Sequence, residues 1–202
     1  MTTVKVSRKG ANRVASGHPW IFSSDVLDRA DAQAGDVVSV ADERGRILGV
    51  AHYSSSSQIT LRFLTTRRAT VDRDFYLRRL RQALDHRQRV VENSDAYRLV
   101  FSEADLLPGL IVDRYGSYLV VQFLTQGMDR ARAEILGCLE ELLKPAGILA
   151  RNDAAVRKLE ELPQSVDVLA GEIPEKVAAE MNGLRLTADL IKGQKTGIYL
   201  DQ

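Results

Sequence analysis

The chain has 202 residues, 28 of them basic and 27 acidic, and is 45% hydrophobic, enough apolar character for a buried core. Its single cysteine, Cys138, excludes an internal disulfide and any zinc site built on cysteine pairs. With no apolar leader and no run of about 18 apolar residues, the default is a cytoplasmic protein without a membrane span.

The charge is unevenly spread. Residues 1–92 hold 16 basic and 10 acidic side chains, a net of +6, whereas residues 93–202 hold 12 and 17, a net of −5. Such asymmetry points to a nucleic-acid surface on the basic side, and the planar fork of arginine suits phosphate. A solvated basic face is the plain alternative.

Residues 4–64 contain the short runs VVSV, ILGVAHY and QITLRFL, the first two separated by the turn ADERGR. Several short strands in so few residues predict a small barrel or sandwich. The stretch GANRVASGHPWIF reads as a turn shaped by Gly17 and Pro19, and it brings Lys9, Arg13 and His18 close to Trp20 and Phe22. Basic groups beside stackable rings suit RNA, which makes Lys9, Arg13, His18 and Trp20 candidate RNA contacts. For Trp20 the competing role is to fill the end of the barrel.

TTRRAT breaks the strand pattern and marks a domain boundary. Asp72 can cap a helix running to about Val91, with Leu77, Leu80, Leu84 and Val91 on one face. Its arginines, Arg73, Arg78, Arg79 and Arg81, form a face that could touch RNA phosphates or, the favoured reading, is wet and paired with Asp74 and Asp85. A β-meander follows over YRLVFSEADLLPGLIVDRYGSYLVVQFL, bounded by Pro108-Gly109 and a turn over residues 113–117. A second amphipathic helix spans residues 129–143 and stops at Pro145. GILARND is a strand and loop, AVRKLEELP one or two helical turns, and KVAAEMNGLRLTADL a hairpin turning at Asn182-Gly183.

Few residues look catalytic. GQKT is not a phosphate loop, because Gln194 separates Gly193 from Lys195 and no glycine stands at the required upstream position. No G-x-G-x-x-G follows a strand, and His18, His52 and His86 are not at metal-ligand spacing. Glu103 and Asp105 share a loop, where two acids are solvated or cap a turn. Cys138 lies among Ile135, Leu136, Leu139 and Leu142 and reads as a buried small residue.

Taken together, SGHPWIF, SEADLLPGLIVDRYG, RNDAAVRKLEELP and the terminal GQKTGIYLDQ, in that order, resemble the RlmI-like (YccW-type) S-adenosylmethionine-dependent methyltransferases that make 5-methylcytosine in large-subunit ribosomal RNA. The resemblance implies an α+β protein: a PUA-like RNA-binding barrel over residues 1–66, then a mixed α/β central domain over residues 72–190. Residues 191–202 would begin the linker to a C-terminal Rossmann-like methyltransferase domain, which is absent from this sequence together with its cofactor loop and catalytic cysteine. It also implies that Lys195, Thr196, Gly197, Tyr199 and Asp201 lie near S-adenosyl-L-methionine in the whole protein, and that RNA, ribosomal in origin, is the partner. The expectation is an RNA-recognition portion that does not catalyse alone. The alternatives are a stand-alone RNA-binding protein and a module for protein contacts, and a homodimer through an exposed strand is left open.

Overall fold

The computed structural model describes residues 1–193 and 196–200. The first unit is a six-stranded sheet built from β1 (Thr3–Val6), β2 (Trp20–Phe22), β3 (Val26–Asp28), β4 (Val37–Ala41), β5 (Ile47–Tyr53) and β6 (Ile59–Thr65), in the order β2-β6-β5-β4-β1-β3. It curls around Val4, Val6, Ile21, Val38, Val40 and Leu61, all fully buried. β1 runs parallel to β4 and antiparallel to β3, so the first strand of the chain lies one place in from the β3 edge of the sheet.

The stretch read as a turn opens instead with a helix, α1 (Arg8–Ala15). Ser7 starts it, its Oγ accepting from the Gly10 N–H at 3.1 Å. Gly10 weakens helix propensity, yet it lets the helix lie close to the sheet. A Cβ there would sit 3.3 Å from the Cβ atoms of Val6 and Asp25.

The second unit begins with α2 (Arg73–Val90), capped as expected by Asp72, whose carboxylate accepts from the Phe75 N–H at 2.9 Å. Then come β7 (Ala96–Phe101), β8 (Leu110–Tyr115), β9 (Tyr118–Phe123), α3 (Gln126–Arg130), α4 (Arg132–Leu143), β10 (Gly147–Arg151), α5 (Val156–Leu159) and β11 (Val166–Gly171). The five strands form one sheet in the order β11-β10-β9-β8-β7. β7 to β9 are the antiparallel meander, whereas β10 joins β9 in parallel through the α3–α4 crossover.

Three readings change here. The turn assigned to residues 113–117 is confined to Gly116 and Ser117, because Asp113 is a buried strand residue. The second helix is two, broken at Ala131, and starts at Gln126. Among the described residues, the arginines named on α2 make no ion pair with Asp74 or Asp85: Arg73 pairs with Glu141 at 2.5 Å and Arg79 donates to the Leu64 carbonyl at 3.3 Å.

Helices α2 and α4 cover one face of this sheet around Leu80, Leu99, Val112, Val121 and Ile135. The other face is partly covered by the hairpin β12 (Val177–Met181) and β13 (Leu184–Ala188) and by residues 196–200. The hairpin turns at Asn182-Gly183, both at positive φ, as the N-G dipeptide requires.

The two units meet along a polar seam. Arg62 on β6 lies 2.8 Å from Glu160, with both side chains buried. Gln126 binds Glu160 and the serines of the 54–57 loop, donating Nε2–H to the Glu160 carbonyl at 2.8 Å. His52 Nε2 lies 3.0 Å from Tyr76 Oη. Arg130 pairs with Asp36 at 2.7 Å.

Candidate nucleic-acid interface and tail anchor

Lys9, Arg13, His18 and Trp20 come together where α1 meets β2. Lys9 and Arg13 are one helical turn apart and both face Asp25, at 4.0 and 3.4 Å. Lys9 keeps 74% of its side chain exposed, so its amine remains available to solvent and ligands. The Arg13 guanidinium lies 4.7 Å from the centroid of the Phe22 ring. His18 Nδ1 accepts from the Trp20 N–H at 3.1 Å, and the two rings meet edge to face with centroids 5.6 Å apart.

Trp20 does not join the core of the curled sheet, so the barrel-filling role does not hold. Its indole N–H donates to Glu103 Oε1 of the second unit at 2.8 Å. Glu103 and Asp105, read from sequence as solvated or capping, are therefore structural. Glu103 holds Trp20, and Asp105 binds Arg87 and accepts from the Phe101 N–H at 2.6 Å. Both belong to the SEADLLPG segment, which ends at Gly109, where a Cβ would lie 2.4 Å from Thr125.

The terminal motif divides. Lys195 and Asp201 lie outside the described residues. Thr196 is 1% exposed, and its hydroxyl donates to Asp113 Oδ2 at 2.5 Å. Asp113 is itself fully buried and pairs with Arg98 at 2.8 Å. Gly197, at φ +140, packs so closely that a Cβ would fall 2.9 Å from Leu190 and 3.1 Å from Tyr115 Oη. The next residue, Ile198, donates its N–H to Tyr115 Oη at 3.2 Å. Tyr199 is half exposed.

Thr196 and Gly197 thus face the sheet and are committed to anchoring the segment. Arg98 and Asp113, which secure this anchor, were missed from sequence. The YRLVF and IVDRY runs give no sign that their charged members pair across β7 and β8.

A second network supports the anchor from RNDAAVRKLEELP. Arg151 donates to the carbonyls of Leu190 and Gly193 at 2.9 and 3.1 Å. Asn152 Oδ1 accepts from the Phe123 N–H at 2.9 Å, and buried Arg157 donates to the Phe123 and Pro163 carbonyls. Glu160 then reaches Arg62 in the first sheet. Ten residues connect the curled sheet to the base of the tail.

No group of three or more metal-binding side chains occurs among the described residues, and no described helix is long and apolar enough to cross a membrane. Cys138 is buried in the helix-side core, and burial raises its thiol above the ordinary range.

A curled six-stranded sheet bearing a short basic helix, joined to a mixed α/β unit, defines a PUA-like protein, and the family model described as a PUA-like domain matches residues 4–66. Over its whole length the chain is 38% identical to ribosomal RNA large subunit methyltransferase I of Tolumonas auensis, covering 52% of that protein. The corresponding Vibrio cholerae protein is 39% identical over 92% of the chain and 48% of its own length. Over its whole length the chain is RlmI-like in sequence, and it spans about half the length of the curated relatives it matches.

Two solved structures share the fold over the full chain. One is a candidate SAM-dependent methyltransferase from Streptococcus mutans, with a TM-score of 0.82, 20% identity and 52% of that chain covered. The other, a candidate methyltransferase complexed with SAH, has a TM-score of 0.83, 20% identity and 51% coverage.

Proposed function

We propose that the chain is the RNA-recognition portion of an S-adenosylmethionine-dependent methyltransferase that makes 5-methylcytosine in large-subunit ribosomal RNA. The observation that carries this reading is the likeness of the whole chain to about half of ribosomal RNA large subunit methyltransferase I. The clustering of Lys9, Arg13, His18 and Trp20 on the PUA-like unit supports it. Lys9 and Arg13 attract phosphate, and the rings beside them offer stacking faces.

These 202 residues do not transfer a methyl group alone. Attack on a cytosine ring needs an accessible thiolate, and the one cysteine is enclosed by core side chains that disfavour its charged form. Lys195, Thr196, Gly197, Tyr199 and Asp201 of the terminal motif would lie near the methyl donor in the whole protein, and the contacts of Thr196 and Gly197 with the sheet support a fixed start to that segment.

RNA affinity measured across a salt series tests the reading. Log affinity should fall linearly with log salt, and replacing Lys9 and Arg13 together by alanine should reduce the slope by one to two phosphate contacts, roughly 0.7 each on a single strand. Absence of RNA binding, or affinity indifferent to salt, would overturn it. Methylation of ribosomal RNA by the chain alone would refute the division of labour.

A further inference from the structure

We infer that the part of the second sheet's outer face left open by the described residues is a platform for an unpaired nucleobase, giving single-stranded RNA a second contact beyond α1 and β2. The inference rests on the RNA reading above and adds a place where a base, not a phosphate, is held.

The hairpin and residues 196–200 cover only part of that face, packing on Ala96, Tyr115, Val120 and Leu149. Beside them lies a groove of about 360 Å³ lined by Arg98, Ile111, Gln122, Arg151, Asp153 and Thr196. Phe101 stands opposite Ile111 across the β7–β8 ladder and is 52% exposed, a large apolar ring left in water on a sheet surface. The Arg98 guanidinium lies 5.2 Å from its centroid, so the ring already has a cationic neighbour of the kind that flanks stacked bases.

The charge balance selects the occupant. Arg98 is paired with Asp113 at 2.8 Å and Arg151 with Asp153 at 2.9 Å, so neither guanidinium brings an uncompensated charge to the groove. A phosphate gains little from such pairs. A neutral base gains a stacking face together with amide, guanidinium and carboxylate groups for its edges. An apolar protein segment would want a broader apolar patch than Phe101 and the neighbouring Leu106 among charged side chains.

Position supports the same occupant. Trp20, beside the basic cluster of the first unit, is hydrogen-bonded to Glu103, two residues beyond Phe101. A strand whose phosphates are held near Lys9 and Arg13 therefore has a short path to the ring.

The test is equilibrium binding of an end-labelled single-stranded RNA and of an abasic strand of equal length. Phe101→Ala should weaken binding of the base-bearing strand about tenfold and leave the abasic strand unchanged. Phe101→Tyr, which keeps the ring, should bind like the parent, as should Leu106→Ala, which removes another exposed apolar side chain from the adjoining turn. Equal binding by Phe101→Ala and the parent would overturn the platform while leaving the RNA reading intact, and would hand the face to a protein partner. Equal weakening for both strands would assign Phe101 a structural role and also overturn it. Failure of the parent to bind either strand would remove the RNA reading and the platform with it.

Discussion

His52 shows how one side chain records the closeness of the two units. It is 3% exposed, with Nε2 near Tyr76 Oη and Nδ1 without a hydrogen-bond partner among the described residues. Only glycine fits beside it, since a Cβ on Gly127 would lie 2.2 Å from the imidazole. Burial, reinforced by the charge of Arg62, lowers the His52 pKa from 6.5 to about 4. The unfolded chain therefore takes up this proton first as pH falls. The stabilising contribution is complete above about pH 6.5 and is lost progressively toward pH 4, at up to about 1.4 kcal/mol per pH unit. Denaturant unfolding of the parent and His52→Gln at a series of pH values should show a steeper decline for the parent in that window. Parallel profiles would show that His52 is not held neutral by the fold.

Helix α2 states its own start. Asp72 and the apolar spacing after it are local signals, so the helix could be read directly, and Asp72→Ala should cost about 1 kcal/mol, measured as a lower urea midpoint. The Asn182-Gly183 hairpin is legible for the same reason, because the dipeptide dictates the turn. Helix α1 is not, since Gly10 argues against it and the reason for Gly10, contact with Val6 and Asp25, is non-local. Strand β11 escaped notice because VDVLAG is short, mostly exposed and defined only by pairing with β10. The candidate site divides likewise. The basic and aromatic residues of the first unit stand close together in sequence, whereas the Arg98–Asp113–Thr196 anchor joins three distant segments.

At the scale of the whole molecule, the Arg62–Glu160 pair turns two sheets into one assembly. Arg62→Met should cost about 3–5 kcal/mol, because it leaves the Glu160 carboxylate buried without its counter-charge. Adding Glu160→Gln should recover part of that loss in urea unfolding. A near-neutral Arg62→Met would show that the carboxylate finds water or another donor. The pair also begins the path through Glu160, Arg157 and Asn152 to Arg151, which holds the Leu190 and Gly193 carbonyls. The orientation of the basic sheet is thereby coupled to the place where the terminal motif starts.

Trp20 is the chain's only tryptophan, and its indole N–H is bonded across the seam. The protein therefore carries an intrinsic optical gauge at its most informative joint. Tryptophan emission should shift to longer wavelength as the units part and water reaches the ring, before any change in the far-ultraviolet circular dichroism of the two sheets. A nucleic acid that settles on the ring should quench that emission without the shift. One spectrum can then distinguish a seam that opens from a surface that is occupied.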